Sequence, residues 1–301
     1  MKKANIKYFT ALLLFGTNGI VASQIMLSSD VIVFFRTLTG SLFLIACFIL
    51  SKQKAQCLKN KKHFTYLMIS GLAMGAGWIF LYEAYVRIGV SVATLAYYCG
   101  PVIVMVMAPL VFRERMTAVK LFGFFSVIVG MVVVNYKALV VGGFSWGLAC
   151  GFFSAVMYAV MVIFSKKASS ITGLENPMWQ LIMSFAAAGL YMLLRKGPIF
   201  EIPAQSLLPI LLLGIVNTGI GCYLYFSAIS QLSAQSVAIC GYLEPVSALV
   251  FSAVLLNERL TFVQLIGTVF IIGGAAFGEC FGQKRMAWKN HRKIPIDGLK
   301  V

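Results

Sequence analysis

Four ionisable side chains stand inside apolar runs, where a charge costs several kcal/mol unless it is paired or put to use: Arg36, Glu83, Glu244 and Glu279. Glu244 directly precedes Pro245. Proline removes a backbone donor, so carbonyls near 237–241 lose their usual partners and the carboxyl sits at a kink. Two roles fit this position: a site that loads and releases a proton or a solute amine, or a carboxyl bonded to a neighbouring helix that holds the kink. Arg36 either meets an anionic group of a solute or snorkels toward headgroups and Asp30. Glu83 precedes Arg87 by one helical repeat, which suits a structural ion pair, with proton coupling as the alternative. Glu279 reads as interfacial.

Aromatic residues make a second constellation. Trp78, Tyr82 and Tyr85 recur at i, i+4 and i+7 and share a helical face. Tyr97, Tyr158 and Tyr225 lie deep within other runs. Such side chains offer stacking faces and hydroxyls to an amphipathic or aromatic solute. Trp and Tyr also populate interfacial belts, which accounts for Tyr8, Tyr136 and Trp146. Asn18, Gln180, Asn217 and Gln235 add polar groups that serve either a solute or helix–helix contacts. The candidate solute-binding set is therefore Asn18, Arg36, Trp78, Tyr82, Tyr97, Tyr158, Tyr225 and Glu244, with Glu244 and Glu83 as candidates for proton coupling.

No enzyme site emerges. The chain has no HExxH, no GxSxG and no phosphate-binding GxxxxGK[ST] loop, and its two histidines, His63 and His291, stand in polar segments. Its seven cysteines show no metal-ligand spacing, so neither metal nor cofactor is expected.

The elements that must position these residues are membrane helices. The chain is 60% hydrophobic and 11% charged with a mean hydropathy of +0.90, whereas soluble domains average roughly 45–50% and about 25%. Apolar runs predict ten spans, at 8–27, 31–50, 64–86, 91–112, 117–135, 144–165, 177–195, 206–229, 234–256 and 261–281. The expected fold is an all-α integral membrane protein. Lys2, Lys3 and Lys7 ahead of the first run fit an uncleaved first helix. The net charge of +16 is no nucleic-acid footprint, because the basic residues occupy the breaks between runs and the tail. Nineteen of the 25 fall on one side of the alternation, against five, including Arg87, Lys137, Arg195 and Arg259, on the other. That bias places both termini in the cytoplasm. The basic tail and the absence of organelle signals point to the cytoplasmic membrane, and the expected partners are lipids and a small solute, with a monomer or weak homo-oligomer as the expected state.

A shift of 144 residues superposes Pro101 on Pro245, Glu114 on Glu258, Arg115 on Arg259, Gly123 on Gly267 and Gly130 on Gly274, among nine identities within a 30-residue stretch. Residues 1–137 and 138–282 thus read as two five-helix repeats, followed by a basic tail at 283–301. Five is odd, so the second repeat enters the membrane from the opposite side and the repeats are inverted. Inverted repeats are a common architecture for carriers that open to alternate faces.

The Pro-Val followed by Glu-Arg in spans 4 and 9, the Leu-Glu-Pro-Val of 243–246, the glycine-spaced spans 5 and 10, Gly16-Thr-Asn18 and Phe35-Arg36 resemble the EamA branch of the drug/metabolite transporter superfamily. The resemblance covers roughly residues 5–282, and the chain departs from it at Gly100, opposite Glu244, and at Tyr158, where tryptophan is frequent. It implies a carrier with a central cavity between the halves, moving an amino acid or related amphipathic metabolite, with export among the directions the family uses. A channel-like or accessory membrane subunit is the alternative.

Overall fold

The structure, a computed structural model, describes residues 2–134, 145–195, 201–255 and 261–291, with the side chains of residues 2, 90, 91 and 279–291 excepted. Lys137, Tyr136, Lys196, Glu258 and Arg259 lie outside the described residues, as do the side chains of Glu279 and His291 and the tail after 291.

The helices are α1 Lys2–Gly16, α2 Asn18–Ala22, α3 Ser29–Leu50, α4 Lys61–Gly89, α5 Val92–Phe112, α6 Ala118–Val134, α7 Trp146–Lys167, α8 Glu175–Arg195, α9 Ala204–Ile229, α10 Ala234–Leu255 and α11 Phe262–His291. No strand occurs among the described residues. Seven helices, α3, α4, α5, α7, α8, α9 and α10, are long and apolar enough to cross a bilayer. The others expected to span are shorter: α6 has 17 residues, the apolar part of α11 is Phe262–Gly278, and α1 has 15. At 1.5 Å per residue, 15 residues cover only about 22 Å.

The first run begins earlier than residue 8 and breaks at Thr17. Asn217 explains the break, donating from Nδ2 to the Leu14 carbonyl at 2.8 Å and to the Thr17 hydroxyl at 2.7 Å, so groups freed from the helix keep partners. Asn217 itself belongs to a π-helical stretch of α9, Leu212–Ile220, where the Thr218 side-chain hydroxyl donates to the Leu213 carbonyl at 2.8 Å. Between α4 and α5 the break is at Gly89, whose φ of 77° favours glycine. Tyr8, expected in an interfacial belt, is instead 1% exposed and donates to the Val237 carbonyl at 2.8 Å.

Contacts between repeats are reciprocal. A Cβ on Gly123 would lie 2.6 Å from the Gly274 carbonyl oxygen, and one on Gly130 would lie 2.6 Å from that of Gly267. Since Gly267 and Gly274 are the counterparts of Gly123 and Gly130, α6 and α11 cross antiparallel through one surface used twice. The same exchange joins α3 to α9 and α8 to α4. Gly40 faces the Gly214 carbonyl, and Ser184, its counterpart, donates to the Gly71 carbonyl at 2.8 Å. Tyr98 and Tyr242, 144 residues apart, interrupt α5 and α10 with nearly equal dihedrals, φ −70° and ψ −1° against φ −71° and ψ −3°. The Tyr242 hydroxyl donates to the Tyr98 carbonyl at 2.7 Å. Reciprocity of this kind is what an approximate two-fold axis through the bundle requires.

Candidate functional site

Where the repeats meet, a tight cavity of about 70 Å³ is lined by seven of the eight candidate residues: Asn18, Arg36, Trp78, Tyr97, Tyr158, Tyr225 and Glu244. They come from α2, α3, α4, α5, α7, α9 and α10, so both repeats build it. Phe15, Met74, Met161, Cys222 and Phe226 complete the wall.

Arg36 is 4% exposed and faces the cavity, so of its two readings the one in which it snorkels to headgroups is corrected. The π-helical turn of α9 presents the Thr218 hydroxyl, which accepts from Arg36 Nε at 3.1 Å. Trp78 lies under the guanidinium, its ring centroid 4.5 Å from the central carbon. A desolvated cation–π contact of this sort is worth about 2 kcal/mol. The remaining guanidinium N–H groups have no partner among the described residues. In the second repeat the counterpart of Arg36 is Gln180, which is fully buried and saturated: it donates to Asn176 Oδ1 at 2.6 Å and to the Ser165 hydroxyl at 3.3 Å, and accepts from Ser70. The charge therefore belongs to one repeat only.

Glu244 has neither an ion-pair nor a side-chain hydrogen-bond partner among the described residues, and Arg36 is the cation whose field reaches it. Its first-repeat counterpart, Gly100, is sterically committed. A Cβ there would stand 2.7 Å from Tyr158 Cδ1, so the tyrosine occupies the space a second carboxylate would need. Tyr158 in turn bonds the Tyr225 hydroxyl at 3.1 Å and meets Tyr97 edge-on at 5.6 Å. The Oδ1 of Asn18, just past the Thr17 break, is buried without a hydrogen-bond partner among the described residues. A guanidinium, a carboxylate and a free acceptor thus converge on one apolar and aromatic chamber.

Tyr82 and Glu83 lie elsewhere. They line a larger chamber of about 460 Å³ toward the end of the bundle that carries Asp30, Arg87 and Arg195. Glu83 accepts from Arg87 Nε at 2.7 Å and from Arg195 Nη1 at 3.0 Å, tying α4 to α8. Tyr82 is one helical turn from Trp78 and Val33 is one turn from Arg36, so the Arg36–Trp78 contact lies between the large chamber and the deep cavity.

A profile of the EamA-like transporter family matches the chain twice, over residues 2–136 and 145–277. The chain belongs to the EamA-like transporter family. Among relatives of this EamA-like protein, the uncharacterized transporter YxxF of Bacillus subtilis is 23% identical over 280 residues, covering 91% of this chain and 88% of the relative. A probable amino-acid metabolite efflux pump of Salmonella typhimurium is 28% identical over 234 residues, covering 72% and 77%. An uncharacterized inner membrane transporter of the same organism, YicL, is 24% identical over 287 residues, covering 90% and 93%. One protein crystal structure with 19% sequence identity superposes with a TM-score of 0.80 over 93% of this chain and 98% of that one, which shows the shared fold. The EamA-like chain is accordingly a multi-pass membrane protein of a transporter family.

The apolar part of the cavity wall escaped sequence reasoning. Phe15, Met74, Met161 and Phe226 are apolar residues within apolar runs, and composition cannot separate a cavity wall from a lipid face.

Proposed function

We propose that this EamA-like protein is a secondary carrier that moves a small amphipathic metabolite, such as an amino acid, across the cytoplasmic membrane by alternating access. The observation that carries the reading is the cavity between the repeats, with Arg36 and Glu244 facing it unpaired to one another. Arg36 suits a carboxylate, Glu244 and Asn18 Oδ1 suit an ammonium, and Tyr97, Phe226 and the methionines suit an apolar side chain. Glu244 is also the group placed to exchange a proton for the solute. The protein has ten crossings in two inverted halves, 1–137 and 138–282, with both termini in the cytoplasm, in keeping with the retention of basic residues on that side. Export is the favoured direction, by analogy with the probable efflux pump of Salmonella typhimurium.

Counterflow tests the reading. Purified protein in liposomes loaded with a mixture of unlabelled amino acids should accumulate external labelled ones transiently, each in proportion to its affinity. Equilibration without overshoot for every amino acid would indicate a pore or an accessory subunit instead.

Glu83 provides the internal control. Its partners Arg87 and Arg195 are about half exposed, so each pair is worth only about 0.2–1 kcal/mol. Glu83→Gln is expected to keep at least about half of the exchange rate and to lower thermal stability slightly. Loss of exchange in folded Glu83→Gln protein would move the coupling carboxylate from Glu244 to Glu83.

A further inference from the structure

The two ends of the bundle are in different states. At one end Asp30, in the first turn of α3, lines the open chamber of about 460 Å³. At the other end Glu175 holds the matching place in the first turn of α8, within one residue of the repeat register, and is 1% exposed. Both of its oxygens are engaged by the backbone of the other repeat: Gln56 N–H donates to Oε2 at 2.6 Å and Cys57 N–H to Oε1 at 2.9 Å. Flanking bonds tie the α7–α8 linker to the α3–α4 linker and to the first turn of α4. Thr172 N–H donates to Gln56 Oε1 at 3.1 Å, and Ser170 N–H donates to His63 Nδ1 at 3.1 Å.

Hydrogen bonds to a buried carboxylate are about twice as strong as neutral ones. These join the α3–α4 linker of the first repeat to the start of α8 in the second, at the end that carries Lys52, Lys54, Lys59, Lys166 and Lys167. An opening that parts the α3–α4 linker from the start of α8 must break them. We infer that Glu175 is the latch that holds the basic end shut, and that its release opens the Arg36–Glu244 cavity to that side. The inference rests on the carrier reading. The bland alternative is that Glu175 only fixes the short 3₁₀ turn Cys57–Lys59, in which case its loss loosens the turn and leaves access to the cavity unchanged.

Two native cysteines report the difference. Cys57 touches the latch, and Cys222 lines the cavity. Burial and the Glu175 carboxylate raise the Cys57 thiol above its ordinary range, so it is slow toward thiol reagents while the latch is closed. The experiment uses full-length protein in liposomes, in forms that keep only Cys57 or only Cys222, and a membrane-impermeant methanethiosulfonate supplied to one face at a time.

With Glu175→Ala, Cys57 is expected to react at least about tenfold faster, and Cys222 to react at least about tenfold faster from the basic face, in line with two lost charge-assisted bonds. Glu175→Gln keeps one acceptor oxygen, should fall between, and carries the test if the alanine form does not fold. Faster Cys57 with unchanged Cys222 access from the basic face overturns the latch. Absence of trans-stimulated exchange for every amino acid with Glu175 intact overturns the carrier reading beneath it.

Discussion

Glu244→Gln is expected to reduce trans-stimulated exchange about 10- to 100-fold, the loss of one or two charge-assisted hydrogen bonds to a solute ammonium or of the group that carries a proton. Glutamine keeps the size of the side chain, so the change isolates charge. Glu244 is the acidic side chain of the deep cavity and has no protein partner among the described residues, which leaves its bonding capacity for cargo. The substitution also leaves Arg36 without the opposite charge across the cavity, and an uncompensated buried charge is costly. Thermal stability should therefore fall in Glu244→Gln and recover in part when Arg36→Gln is added, while exchange stays lost. That non-additivity, read as a double-mutant cycle on the midpoint of unfolding in detergent, separates the binding role from the kink-holding role. If Glu244 merely held the helix kink at Pro245, the second substitution would lower stability further.

The largest structural effect is expected at the α6–α11 crossing. A side chain at Gly123 meets backbone on two sides, 2.6 Å from the Gly274 carbonyl oxygen and 2.7 Å from Gly278 Cα, and neither can move aside as a flexible side chain can. Lipid tails supply no hydrophobic drive to hold helices together, so the crossing depends on close packing of small residues. Gly123→Leu should destabilise by about 1–3 kcal/mol or prevent assembly outright. Unfolding followed by intrinsic fluorescence, alongside the yield of monodisperse protein, measures it. A neutral result would mean the α6–α11 contact does not hold the repeats in register. By the reciprocal geometry, Gly274→Leu should cost a similar amount, because its Cβ would stand 2.6 Å from the Gly123 carbonyl oxygen.

Much of the site was legible because cost is legible. An arginine, a carboxylate or an amide within an apolar run has to face protein, and Asn18, Arg36 and Glu244 share one cavity for that reason. Periodicity located the face of α4 but not depth along it. Trp78 and Tyr82 share a stripe, yet one turn separates them by about 6 Å, enough to put them in different chambers. The Thr17 break was not legible, because its compensating donor, Asn217, lies 200 residues away. Tyr8 stands at the start of the first apolar run, where interfacial belts gather tyrosine, yet its hydroxyl reaches the distant Val237 carbonyl inside the bundle. The repeat is plain in the shifted identities, whereas its consequence in three dimensions, one glycine surface used twice, is set by how distant helices cross.

Alternating access of the deep cavity is most directly tested on protein that keeps Cys222 as its single cysteine and Glu175 intact. A membrane-impermeant methanethiosulfonate is supplied to each face in turn, with and without a saturating amount of the amino acid that gives the strongest counterflow. Modification is expected from both faces, slower from the basic one, with protection by the amino acid on each side. Modification from one face only, unaffected by the amino acid, would contradict it.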